Sequence, residues 1–185
     1  LGNASTNWQD EIYRTAIMTD NNLSVTGSAG KMPYRLSVGY LNQDGILKTD
    51  NMQRITAAVN LSPSFMNDHL KVNLNVKGTS TKNKFANQGA IGNAVSFDPT
   101  QPVLSGNNRF GGYWEWLNAS NQPNQLSQRN PVGLLNMRDD QSDAVRSIGN
   151  MQVDYKFHFL PELRANLNLG YDVARGKGSI YVPDS

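Results

Sequence analysis

The feature that most constrains this chain is an apolar–polar alternation that recurs along it. In 70–76, Leu70, Val72, Leu74 and Val76 alternate with Lys71, Asn73 and Asn75. In 153–159, Val153, Tyr155, Phe157 and Phe159 alternate with Asp154, Lys156 and His158. In 163–171, Leu163, Ala165, Leu167, Leu169 and Tyr171 alternate with Arg164, Asn166, Asn168 and Gly170. Weaker copies run through Leu23/Val25/Gly27/Ala29, Tyr34/Leu36/Val38/Tyr40 and Ile55/Ala57/Val59/Leu61. A period of two sends successive side chains to opposite faces of a strand. The pattern therefore predicts an all-β, antiparallel arrangement of about six strands, each with one apolar and one hydrophilic face.

Composition narrows the alternatives. Mean hydropathy is −0.54 and no apolar run approaches the ~20 residues of a spanning helix, so helical membrane spans are excluded. Lys and Arg number 17 against 15 Asp and Glu, a net charge of +2. These basic residues are dispersed, which argues against a nucleic-acid partner. With no cysteine, disulfide scaffolds, thiolate zinc sites and thiol catalysis are all excluded. At 185 residues the length prior is one domain.

The spacing between the strands discriminates further. Gly30–Pro33, Ser62–Asp68 and Leu160–Glu162 are short and marked by Pro, Gly or Asn, whereas Gln43–Asn51 is a longer polar excursion and Thr81–Val145 has little periodicity. Tyr34 and Tyr40 stand toward opposite ends of one apolar face, about 20 Å apart along a strand. Period and aromatics fit a soluble β-sandwich as well as a barrel. Short turns on one side and long loops on the other select a transmembrane β-barrel.

Specific segments carry a resemblance. Thr6-Asn7-Trp8-Gln9-Asp10-Glu11-Ile12-Tyr13-Arg14, Asn22-Leu23-Ser24-Val25-Thr26-Gly27 and the run Tyr34 to Leu47 with its Gly39-Tyr40-Leu41-Asn42-Gln43-Asp44-Gly45 centre follow one another in order. Arg54 to Leu61, Asp98-Pro99-Thr100-Gln101-Pro102-Val103, Asn130-Pro131-Val132, Asp154-Tyr155-Lys156-Phe157 and Leu163-Arg164-Ala165-Asn166-Leu167 continue the series. In order and spacing the chain resembles the SusC/RagA-like TonB-dependent outer-membrane transporters over essentially its whole length. That resemblance implies an incomplete segment of a large barrel, just after the plug, in the bacterial outer membrane. The expected organisation is 1–20 as a linker entering the barrel, 21–80 as four strands, 81–145 as a long extracellular loop, 146–175 as two strands and 176–185 as the start of the next extracellular loop. No signal peptide is visible after Leu1, and a large closed barrel needs more strands than these. The implied function is import of oligosaccharides or peptides, with a SusD-like surface lipoprotein and the TonB complex as partners. A siderophore or cobalamin receptor and a soluble β-sandwich adhesion module are the rival readings.

No residue set here supports catalysis, and no cofactor is expected. His69 and His158 are far apart in sequence, one at a turn and one on a polar strand face, and no metal-ligand spacing joins them. Asp139, Asp140 and Asp143 lack the ligand alternation and glycine of a calcium loop. Gly27–Lys31 and Gly176-Lys177-Gly178 have the wrong spacing for a phosphate loop and read as turns. Asn118-Ala119-Ser120 matches a glycosylation sequon by chance in an Asn-rich chain. The segment with functional promise is Phe110-Gly111-Gly112-Tyr113-Trp114-Glu115-Trp116, whose Tyr113, Trp114, Glu115 and Trp116 suit ring stacking and hydrogen bonding to a sugar or peptide. Packing of the loop, contact with a lid and contact with substrate all remain open for it, packing first. Lys71, Asn73, Asn75, Lys156, Arg164, Asn166 and Asn168 are the candidate lumen-facing residues, lining a hydrated passage or pairing among themselves and with a plug.

Overall fold

A computed structural model describes residues 2–183. The alternating segments form one antiparallel sheet: β1 (Met18–Ala29), β2 (Met32–Asp44), β3 (Asn51–Leu61), β4 (Ser64–Phe65), β5 (Leu70–Phe85), β6 (Asp139–Lys156) and β7 (Arg164–Tyr181). The order is β1-β2-β3-β5-β6-β7, with the two-residue β4 paired only to β5. β1 and β7 are outer strands that do not pair with each other, so the sheet is open.

The turns at one end are tight for local reasons. Gly30 has φ +63° in the two-residue β1–β2 turn, the conformation that such a hairpin demands and that glycine supplies without strain. The β4–β5 turn places Met66, Asn67 and Asp68 at positive φ and is braced by a hydrogen bond from the Ser64 hydroxyl to Asp68. At the other end, 45–50 joins β2 to β3, and residues 86–138 leave the sheet between β5 and β6.

Register sorts the side chains. Residues opposed across strands share a face, so Tyr34, Leu61, Leu74, Met151 and Leu169 form one continuous apolar row across β2, β3, β5, β6 and β7. One residue along, Asn60, Asn75 and Asn150 form a row of amides on the opposite face. The described residues give the apolar face no cover: Leu23 is 72% and Val173 63% exposed. Two tyrosines on it are seated over glycines, Tyr34 opposite Gly27 and Tyr171 opposite Gly149. A methyl group added at Gly149 would lie 2.5 Å from Tyr171 Cε1 and 3.1 Å from the Asn75 carbonyl oxygen.

The strands outrun the expected bounds. β5 continues to Phe85, β6 already begins at Asp139, and β7 runs on to Tyr181, so the excursion is 86–138 rather than 81–145. The reason is chemical. Thr81-Lys82-Asn83-Lys84 is polar on both faces, so apolar periodicity vanishes there while the hydrogen-bond ladder goes on, with Thr81 opposite Ala144 and Lys84 opposite Gln141. Of the expected loop 176–185, residues through 181 are strand, and 184–185 lie outside the described residues. His158 lies in the β6–β7 turn instead of on a strand face. The segment 1–20 is not simply a linker, since Trp8–Ile12 is a short helix, α1, and β1 starts at Met18.

Gly149→Val should force the Tyr171 ring off its seat and destabilise the sheet by about 1–3 kcal/mol. Thermal unfolding of the protein measures it, and pairing the change with Tyr171→Ala should recover most of the loss.

Candidate functional site

The excursion folds into a cap at the long-connection end. It carries α2 (Gly89–Ser96) and α3 (Pro131–Asn136), which join α1 around a core of Trp8, Ile12, Leu47, Ala90, Ala94, Phe97 and Leu135. The segment before β1 is tied to both connections. Ala4 N–H donates to the Thr100 carbonyl at 3.0 Å, Thr6 N–H to Pro99 at 2.9 Å, and the Trp8 indole Nε1–H to Asp98 at 3.1 Å. Arg14 clamps the β2–β3 connection, donating from Nε to the Gly45 carbonyl and from Nη2 to Asp44 Oδ1 and the Asp50 carbonyl.

Asn130 is the centre of the cap. It is fully buried and caps α3, its Oδ1 accepting from the N–H groups of Val132 and Gly133 at 3.0 and 3.1 Å. Pro131 follows at the first helical position, where its missing N–H costs nothing. The amide Nδ2 donates to the carbonyls of Val103 and Trp114 at 3.0 and 3.1 Å. One side chain thus holds three separate stretches of the excursion together.

The aromatic segment divides by role. Trp114 is half-buried in a ladder of edge-on rings: Trp8 to Phe97 at 4.7 Å, Phe97 to Trp114 at 6.0 Å, and Trp114 to Trp116 at 4.7 Å. Glu115 turns inward, its side chain 4% exposed. Its Oε1 lies 3.1 Å from Arg129 Nε and accepts from Asn130 N–H at 3.3 Å. The Arg129 N–H is not aimed along that line, so that contact is electrostatic and not a directed hydrogen bond. Tyr113 packs on α3, where a side chain at Gly133 would come within 3.2 Å of its ring. Its hydroxyl accepts from the Asn136 amide at 3.0 Å. Trp116 is the exposed member, at 36%. A cavity of about 180 Å³ opens beside these residues, lined by Ser105, Asn107, Arg109, Phe110, Tyr113, Trp114, Glu115 and Leu117. Its shape depends on the turn Phe110-Gly111-Gly112, all three at positive φ, with the Arg109 guanidinium 5.0 Å from the Phe110 ring centre.

The seven polar strand residues share one face of the sheet. Lys71 is opposed to Asp154 and Asp154 to Asn166, Asn73 to Gln152 and Gln152 to Asn168, and Lys156 to Arg164. Asn168 donates to Asn166 Oδ1 at 2.8 Å, and Arg164 stands 3.7 Å from Asp154. Higher on the same face Arg146 and Asp172 form a two-pronged ion pair. A shallow trough of about 690 Å³ crosses this face, lined by Asn60, Asn75, Lys77, Asn150 and Asp172 among others.

Sequence spacing missed two associations. His69 and His158, 89 positions apart, stack at the tight-turn end with ring centres 3.9 Å apart. Each Nδ1 is engaged, one with the Lys156 carbonyl at 2.9 Å and one with the Tyr155 hydroxyl at 3.0 Å. Among the described residues no cluster of three or more His, Asp or Glu side chains could hold a metal ion. The Glu115–Arg129–Asn130 group was also unseen, although Asn-Pro before an apolar run is itself a helix-start signal.

No protein-family model matches the chain. It is 44% identical over 195 aligned residues to the TonB-dependent receptor SusC of Bacteroides thetaiotaomicron, covering 98% of this chain and 19% of SusC. It is 31% identical over 161 residues to TonB-dependent receptor P3 of Formosa agariphila, covering 84% of this chain and 16% of that receptor. Among solved structures, the RagAB peptide importer in its closed-closed state superposes with a TM-score of 0.66 at 19% identity, covering 96% of this chain and 20% of that one. The open-open state gives 0.65 at 18% identity, covering 94% and 19%. The chain thus spans about a fifth of the length of the relatives it matches. Sheet and relatives together define a partial β-barrel of a TonB-dependent receptor. Within that class the chain is SusC-like.

Two outcomes follow for the cap. Asn130→Ala should cost about 2–4 kcal/mol, from a lost helix cap and two carbonyls left without donors. Limited proteolysis should then cut within 86–138 while the strands stay protected. Asp98 gives a pH dependence. The Thr100 backbone N–H, the Thr100 hydroxyl and the Gln101 amide all donate to its carboxylate and hold its pKa below the ordinary value. A depressed carboxylate stabilises fully above about pH 4 and ceases to as the pH falls through its lowered value. Hydrogen-exchange protection factors of Ala4 and Thr6, taken relative to the intrinsic rate at each pH, should fall in that acid range, and Asp98→Asn should flatten the dependence.

Proposed function

We propose that this segment is the wall and part of the outer cap of a bacterial outer-membrane transporter that imports nutrients, oligosaccharides or peptides, beneath a SusD-like surface lipoprotein. The TonB complex drives it through parts of the receptor outside these residues. The observation that carries the reading is the two-faced sheet. Apolar rows run across every long strand, uncovered, while the other face is amide and charge. Soluble monomers rarely leave so large a contiguous apolar surface bare, and an apolar band opposite a wet interior is the pattern of a barrel wall in lipid. No helix of the described residues is long and apolar enough to cross a membrane, which leaves strands as the spanning element. On this reading the apolar face meets lipid, and Lys71, Asn73, Asn75, Lys156, Arg164, Asn166 and Asn168 face the lumen. The cap lies outside the cell, with Trp116 presented to substrate or lid. No chemical step belongs to the segment. Its role is to bind and to admit.

In the intact receptor, Trp116→Ala should lower uptake or co-purification of the lipoprotein several-fold with barrel assembly unchanged. Trp114→Ala should instead loosen the cap, because that ring is inside the ladder. Unaltered uptake and unaltered co-purification would leave Trp116 a packing residue. A receptor that is monomeric and cooperatively folded in plain buffer would return the chain to the soluble sandwich.

A further inference from the structure

We propose that the apolar-face ends of β5, β6 and β7, just beyond the lipid-facing band, bind the phosphate groups of an anionic lipid headgroup. The proposal rests on the reading of the apolar face as the lipid-facing side. That face changes character at one row, where Tyr40, Ile55, Ser80, Val145 and Arg175 are opposed. Toward the tight turns the next row is Val38, Ala57, Gly78, Ser147 and Val173. Toward the cap it is Asn42, Gln53, Lys82, Asp143 and Lys177. Lys82, Arg175 and Lys177 therefore project from the same face as Val145 and Val173, and all three are exposed.

Their charges are not consumed locally. Lys84, on the same face, has Asp139 at 3.5 Å. Among the described residues no carboxylate lies within 4.0 Å of the side-chain nitrogens of Lys82, Arg175 or Lys177, and Asp143 is the one acid between them in register. The side of the sheet is also selected. β7 reads Arg175-Gly176-Lys177-Gly178, which places both cations on the lipid side and only glycine on the other. Gly-Lys-Gly is thus no phosphate loop and no turn, but a strand that displays cations on one face.

The geometry favours a lipid over a soluble anion. Lys82 and Lys177 stand two strands apart, about 10 Å, and Arg175 and Lys177 about 7 Å along one strand. Flexible side chains reach across such gaps and snorkel from an apolar surface to a charged boundary. A ligand that uses the whole surface needs an apolar tail on Val145 and Val173 and a phosphate one row above them. Cations placed at a membrane surface strengthen its association with anionic headgroups.

The test uses the intact receptor reconstituted in phosphatidylcholine vesicles with a trace of spin-labelled phosphatidic acid, which reports association relative to labelled phosphatidylcholine. The expected result is a several-fold preference for phosphatidic acid that falls toward parity in Lys82→Gln/Arg175→Gln/Lys177→Gln. The charge-preserving Lys82→Arg/Arg175→Lys/Lys177→Arg should retain it, as should Lys31→Gln at the tight-turn end. Equal preference in the wild type and the glutamine variant overturns the proposal, as does its loss in the charge-preserving variant. Displacement by millimolar inorganic phosphate alone overturns it in favour of a soluble anion. A receptor that does not enter the vesicles at all overturns the membrane-wall reading instead.

Discussion

Cross-strand register is the constraint on which everything else in this structure depends. Side chains alternate with a period of two, so a slip of one residue would turn every apolar row to the polar side. Tyr34, Leu61, Leu74, Met151 and Leu169 stay in line because each neighbouring pair keeps its place. The glycines under Tyr34 and Tyr171 add a mark of position, since a ring opposite any larger residue would not seat. Tight turns at one end complete the specification, with Gly30 and the Ser64–Asp68 brace setting where each strand reverses.

The cap obeys a different physics. Its core is small, and much of its order comes from polar groups satisfied far apart in sequence. Asn130 meets Val103 and Trp114, Arg14 meets the 45–50 connection, and the segment before β1 lies along Pro99 and Thr100. Such contacts are strong when complete and costly when one member is removed. The aromatic ladder links them to the surface, so that Trp116 is held in place by Trp114, Phe97 and Trp8 in turn.

Much of the sheet was legible in the sequence because alternation of Leu70, Val72, Leu74 and Val76 with Lys71, Asn73 and Asn75 has few structural interpretations. What failed was the strand length near Lys82 and Lys177, where both faces are polar and hydropathy carries no signal of pairing. The stacking of His69 on His158 and the burial of Glu115 were illegible for another reason. Both are set by which turn lies beside which, and no local pattern encodes that. Asn130-Pro131 shows the intermediate case: its helix-start chemistry is written in two letters, while its hold on Val103 and Trp114 exists only in the fold.

The ladder between β5 and β6 closes at Phe85 opposite Asp140, at the base of the 53 residues that carry most of the cap. Bringing together the ends of a free loop of that length costs about 3.5 kcal/mol in chain entropy. Here the β5–β6 ladder fixes those ends, so contacts within the cap need not supply that entropy themselves. The cap can therefore open and reclose without separating the strands beneath it, whereas fraying at Phe85 and Asp140 would return that entropy to the loop and unmake the cap.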